Sequence, residues 1–229
     1  MRVLIACEYS GIIRDAFINA GHDAISCDFL PTELPGPHYQ GDVMNILKDG
    51  FDLLIAHPPC TYLSYAGMAS WNVPGREEKR NAAFDFFMKM INAPIRFICV
   101  ENPRGLPNQQ YRRPDQVIHP YYFGDEAMKR TCLWLKKLPL LHYQFEDDLF
   151  NKKTSVSKPE PAMIHVRKKT GQIKKRYWMD TPGLPAFKNG HLRSRSFQGI
   201  ANAMAEQWGG YVKHSDNKNK ALSLNLNQP

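Results

Sequence analysis

The chain has 229 residues, is 43% hydrophobic and 23% charged, and carries a formal net charge of +8. That composition supports one sizeable core and excludes a fibrous or largely disordered protein. No apolar run nears the ~20 residues of a membrane span, and Val3 to Ala6 is too short for a signal peptide, so no membrane partner is expected. The five cysteines, Cys7, Cys27, Cys60, Cys99 and Cys132, are odd in number and form no CxxC pair. They exclude a disulfide framework and a cysteine zinc site, and point to a reducing, cytoplasmic setting. The positive charge points to a polyanionic partner, nucleic acid first.

In chain order, Val3 to Cys7 reads as a buried strand. Ser10-Gly11 then opens a helix through Ile12, Ile13, Ala16 and Phe17 that closes at Gly21. Asp23 to Cys27 reads as a second strand ending at Asp28, and Pro31 to Pro37 as a Pro/Gly loop. Phe51 to Ala56 is a strand, Arg76 to Asn92 a helix through Ala83, Phe86, Phe87 and Met90, and Arg96 to Val100 a strand. This alternation predicts an α/β fold, a parallel sheet with helices on both faces. Thr131 to Leu135 reads as one more strand. From Asn151 to Trp178 the chain is strongly basic, with Lys169-Thr170-Gly171-Gln172 as a hairpin turn between extended arms. Ser196 to Trp208 is helical, and the polar stretch from His214 to Pro229 reads as a disordered tail. The expected organisation is a core over 1–137, a short basic region over 138–190, a returning segment over 191–213 and the tail over 214–229.

The segment His57-Pro58-Pro59-Cys60 follows the apolar run Leu53 to Ala56. A residue before proline is pushed toward extended geometry and proline lacks an N–H, so the strand stops there. Cys60 is thereby placed on a stiff turn at the carboxyl edge of the sheet, where open α/β folds bind ligands. Glu101 ends the apolar strand beside it. A thiol and a carboxyl group on two strand ends are the parts needed to add to an electron-poor ring: the thiolate attacks one carbon, and the acid stabilises charge on the ring. An adenosine-bearing cofactor in such a fold sits where the first strand turns into its helix, with an acid after the second strand. Gly11 and Asp28 have that order, and Asp42 after Gly41 is a candidate for the adenine edge. Either acid alone reads as a turn residue or a helix cap; their order carries the assignment.

These motifs resemble the DNA (cytosine-5)-methyltransferases, in particular their short phage-type and prophage-type members. His57-Pro-Pro-Cys60-Thr-Tyr-Leu-Ser64-Tyr-Ala66-Gly67 is similar to the family's Pro-Pro-Cys-Gln-x-Phe-Ser-x-Ala-Gly loop. Val100-Glu101-Asn102-Pro103 resembles its Glu-Asn-Val signature, Arg80 to Phe87 the helix between the two, and Ile200-Ala201-Asn202-Ala203-Met204 its late Ile-Gly-Asn-Ala-Val segment. The resemblance runs from residue 1 to about 212 and is weakest between roughly 138 and 190. It implies a Rossmann-like S-adenosylmethionine-dependent methyltransferase fold with a small basic target-recognition insertion. It implies S-adenosylmethionine as donor and a flipped-out cytosine of DNA as acceptor, in a monomer. Cys60 would be the nucleophile and Glu101 the partner of ring N3. Glu8, Tyr9, Ser10, Gly11, Asp28, Asp42, Pro58 and Asn202 would form the donor site. Ser64 and Asn102 would support the catalytic loop, with Ser64 near DNA. The family's Gln-x-Arg-x-Arg strand has two matches here, Lys129-Arg130-Thr131, which would make Arg130 a catalytic contact, and Arg193-Ser194-Arg195. The usual Phe-x-Gly-x-Gly of the first loop is replaced by Cys7-Glu8-Tyr9-Ser10-Gly11, and Pro103 replaces the usual Val.

The basic stretch offers phosphate contacts through Lys168, Lys169, Lys174, Lys175 and Arg176, with His165, Tyr177 and Trp178 interleaved. Two other readings stand beside this one. An amino-methyltransferase acting on adenine N6 or cytosine N4 would use an Asp/Asn-Pro-Pro-aromatic loop without a thiol. A catalytically silent, DNA-binding relative that blocks restriction would tolerate the altered first loop.

Overall fold

The computed structural model describes residues 1–166, 171–177 and 194–225. Seven strands form one sheet: β1 (Arg2–Ala6), β2 (Asp23–Asp28), β3 (His38–Gln40), β4 (Leu53–Ala56), β5 (Phe97–Asn102), β6 (Gln116–Ile118) and β7 (Thr131–Lys136). Their order is β3-β2-β1-β4-β5-β7-β6. The chain starts at the centre, runs outward through β2 and β3, then returns to β4 and runs outward the other way. Parallel pairing links β3, β2, β1, β4 and β5, while β7 is antiparallel to both of its neighbours. This is a Rossmann-like sheet whose order reverses between β1 and β4. The crevice outside their carboxyl ends is where such sheets take ligands.

Apolar runs rather than alternating patterns make these strands, because both sheet faces are covered. Successive side chains still point to opposite faces, which divides the core in two. Val3, Ile5, Leu53, Ile55, Phe97, Cys99, Leu133 and Leu135 pack with helices α1 (Ile12–Asn19) and α4 (Gln198–Asn225). Leu4, Ala6, Leu54, Ala56, Ile98, Val100, Cys132 and Trp134 face the other way, toward Phe87, Met90 and Ile91 of α2 (Arg76–Ile91). A short helix α3 (Pro107–Gln110) follows β5. The strands β8 (Met163–Val166) and β9 (Ile173–Arg176) pair antiparallel as a separate two-stranded ribbon. No helix among the described residues is long and apolar enough to cross a membrane.

Four features differ from the sequence reading. The sheet is not wholly parallel: β7 runs antiparallel to β5 and β6, and Asp115, just before β6, extends that pairing, its N–H donating to the Leu133 carbonyl and its carboxylate accepting the Leu135 N–H. Strands β3 and β6 carry three residues each, mostly half-buried or exposed, and give no apolar run to read. Residues just past 137 pack on the core: Leu141 is buried and exchanges two hydrogen bonds with the Gln116 side chain, and Trp208 of α4 donates to the Pro139 carbonyl. The boundary read after 137 therefore falls inside a packed unit. Finally, α4 continues through Asn225, past the point at 213 where the ordered chain was expected to stop. Its packed stem, Ile200 to Val212, supplies the helical turns on which a polar extension can propagate.

Candidate active site

The turn carrying Cys60 is held from several directions. The His57 N–H donates to the Ala6 carbonyl, one rung beyond the β1–β4 ladder. Pro58 and Pro59 then offer no donors, and the Cys60 carbonyl accepts from the N–H groups of Leu63 and Ser64. This turn is stitched to the segment after β5. Ser64 and Gly105 form an antiparallel bridge, the Leu106 N–H reaches the Leu63 carbonyl at 2.8 Å, and the Asn102 amide reaches the Pro58 carbonyl at 2.7 Å. A Cβ on Gly105 would lie 2.0 Å from the Leu63 carbonyl oxygen, so this close approach requires glycine. Ser64, expected near DNA, is 6% exposed and lines the cleft, and its backbone bridges to Gly105.

Glu101 lies on β5 opposite Leu133 of β7. Its carboxylate is 3.3 Å from His57 Nδ1, with side chains 15% and 17% exposed. Burial pushes the Glu101 carboxyl up, but the His57 hydrogen bond, the Lys129 charge and a Thr131 hydrogen bond outweigh it and hold it below its ordinary range. The sequence reading passed over His57. Its signal was available: the residue sits at the same strand end as Cys60, one position before the prolines.

The cysteines divide by setting. Burial pushes Cys132 up to about 11 and Cys27 up to about 12, and raises Cys99 and Cys7 strongly, so these are inert thiols. Cys60 is half-buried and opens on a cleft of about 920 Å³. The same cleft is lined by Glu101, His57, Pro58 and Arg130, and by the further basic residues Arg104, Lys129, Lys175 and Arg195. Both sequence options for the supporting arginine are thus represented: Arg130 lines the cleft, and so does Arg195, paired with Glu33 at 3.1 Å. Arg193 lies outside the described residues.

The β1–α1 turn also borders this cleft. Cys7, Tyr9, Ile13 and Asp28 line it. Cys7 adopts a left-handed backbone with φ 58°, uncommon for a residue with a side chain. Glu8 is 3% exposed; its Oε1 accepts from Ser10 Oγ at 2.6 Å and from the Ile13 N–H at 3.1 Å, while Oε2 is buried without a partner. Tyr9 and Ser194 share a hydroxyl hydrogen bond of 2.7 Å. Three other residues expected at the donor site make local contacts. Gly11, at φ 77°, makes room for Arg14: a Cβ there would lie 2.5 Å from its guanidinium. Asp42 is exposed and caps the helical turn Val43–Asn45 by accepting the Met44 N–H. Asn202 is exposed and accepts from the Gln198 amide; Ile200 and Met204 of α4 line the cleft instead, because positions four apart share a helix face and Asn202 falls between them.

Of the basic stretch, Lys175 and Tyr177 line the cleft, and Lys158 Nζ sits 5.1 Å above the Tyr177 ring. Lys174 and Arg176 lie on β9, and His165 on β8. Lys168, Lys169 and Trp178 lie outside the described residues.

No protein-family model and no curated protein matches the chain. Among solved structures, a methyltransferase from Entamoeba histolytica, EhMeth, is similar at 12% identity and a TM-score of 0.43, over 69% of this chain and 57% of that one. The chain spans little more than half of that protein's length in the match. The function has to come from the site itself.

Proposed function

We propose that the protein is an S-adenosylmethionine-dependent methyltransferase acting on C5 of cytosine in DNA. The observation that carries this reading is that Cys60 and Glu101 open on one cleft at the reversal point of the sheet, which the β1–α1 turn and Asp28 also line. A thiol and a carboxyl group so placed can act on the same planar ring.

The residues fit the donor as well. The unpartnered Glu8 Oε2 is a buried acceptor beside two cleft residues, suited to an ammonium group, and Asp28 at the end of β2 suits a ribose hydroxyl pair. When bound, S-adenosylmethionine supplies an electrophilic methyl group. The protein's part is to make C5 nucleophilic. Cys60 adds as thiolate to C6, the C5=C6 electrons shift toward C4, and N3 takes a proton presented by Glu101. After methyl transfer, a base takes the C5 proton, the C5=C6 double bond re-forms and the Cys60 thiolate is expelled. The proton on N3 returns to Glu101.

A cytosine inside a duplex is out of reach, and extruding it costs about a few kcal/mol. Arg104, Lys129, Arg130, Lys175 and Arg195, all lining the cleft, supply the positive charge that phosphate contacts need. The test is direct: incubate the protein with methyl-labelled S-adenosylmethionine and DNA, then identify the labelled base. 5-Methylcytosine supports the reading. An N-methylated base, or no label in any DNA tested, overturns it.

A further inference from the structure

The reaction above leaves one proton without a source. Glu101 has to present a proton to N3, yet its surroundings favour the carboxylate. The contact that binds that carboxylate most directly is His57, and a carboxylate can only accept, so His57 Nδ1 carries the hydrogen. The His57 Nε2 atom is buried and has no hydrogen-bond partner. The His57 backbone is tied to Ala6 of β1 and its imidazole to Glu101, and both side chains line the cleft.

We propose that His57 is a positioning residue for the N3 proton: it supplies, through Glu101, the proton that the ring takes up when Cys60 adds, and takes it back when the thiolate leaves. This rests on the cytosine-5 reading. The balance is simple. As the Cys60 sulfur bonds to C6, electrons move to N3; the Nδ1 proton of an imidazolium His57 passes to the Glu101 carboxylate and on to N3, leaving Glu101 ionised and His57 neutral with its hydrogen on Nε2. In the second half the proton travels the same way back. No other reactant is consumed.

The groups facing the pair set its behaviour. Lys129 and Arg130 come from the segment entering β7, Thr131 and Cys132 from β7 itself, Cys99 from β5 and Cys60 from the turn. Lys129 stabilises the carboxylate, and the Cys99 and Cys132 thiols are raised far enough to stay neutral.

The test follows exchange of the C5 hydrogen of cytosine in DNA, which needs Cys60 addition but no methyl transfer, across a range of pH. His57→Asn keeps an amide donor toward Glu101 but cannot release a proton. It is expected to slow exchange by roughly 10²-fold or more at neutral pH, and to move the alkaline fall in rate to lower pH, with DNA binding unchanged. An unshifted pH profile, whether at full rate or uniformly reduced, would overturn the proposal, because a merely structural role lowers rate without moving the profile. Nitrogen NMR of the parent's imidazoles adds a measurement that needs no variant: at neutral pH the His57 Nδ1 should carry a hydrogen, and an unprotonated Nδ1 overturns the proposal. A parent protein that neither exchanges the C5 hydrogen nor forms 5-methylcytosine brings down the cytosine-5 reading itself. A parent that does both beside an unaltered His57→Asn profile brings down only the role of His57.

Discussion

The side-chain amide of Asn102 donates to the carbonyl of Pro58 across 2.7 Å, which ties the end of β5 to the turn that carries Cys60. Asn102 is 1% exposed, so this bond is made away from water. Asn102→Ala would leave a shielded carbonyl without its partner, at a cost of about 1–3 kcal/mol. Chemical denaturation should show that loss. Trapping of 5-fluorocytosine DNA should slow as well, because the thiol no longer holds its place relative to Glu101.

Gly105 makes the same coupling through backbone alone. An added Cβ would run into the Leu63 carbonyl, and Leu63 is fully buried. Gly105→Ala should therefore push the Cys60 turn off the 104–106 segment. The expected outcome is a folded protein by circular dichroism with adduct formation reduced by at least tenfold. Normal trapping by this variant would show that the bridge to Ser64 is dispensable.

The depressed Glu101 carboxyl links stability to pH. A carboxyl held below its unfolded value adds stability above that unfolded value, and loses it as pH falls through the folded one. Glu101→Gln should thus flatten part of the acid-side loss of stability seen in the parent. Urea midpoints of the two proteins, compared at neutral and acidic pH, check the sign. A larger acid sensitivity in the variant would contradict it.

The basic stretch should govern DNA affinity and not donor binding. Replacing Lys168, Lys169, Lys174 and Lys175 together with Gln should weaken DNA binding strongly at low salt. The slope of log affinity against log salt should shrink by about 0.9 for each phosphate that is no longer neutralised. Calorimetric binding of S-adenosylmethionine should not change. Unchanged DNA affinity would dismiss the role of this stretch.

Much of this architecture is legible in the sequence because its strands are buried on both faces. Leu53 to Ala56 and Phe97 to Val100 are uninterrupted apolar runs, and the prolines after His57 mark where one of them ends. That locates Cys60 and Glu101 at one sheet edge without further information. The short edge strands His38–Gln40 and Gln116–Ile118 carry no such signal, since they are three residues long and only partly covered. The direction of β7 was also hidden: an apolar run does not encode whether its neighbours run with it or against it. Asp42 and Asn202 show the limits of order along the chain. Both stand where a donor contact would be read, but one is consumed by a helix cap and the other points off the cleft-facing stripe. His57 stands at a strand end that the sequence marks, but its contact with Glu101 is seen only once β4 and β5 lie side by side.

The most direct measurement is covalent capture at position 60. DNA containing 5-fluorocytosine should form, in the presence of S-adenosylmethionine, a denaturation-resistant complex with the parent, and peptide mapping should place the bond on Cys60. The account expects that complex to vanish in Cys60→Ser while DNA binding persists. A Cys60→Ser variant that methylates DNA at the parent's rate, or an adduct mapped to another residue, would contradict it.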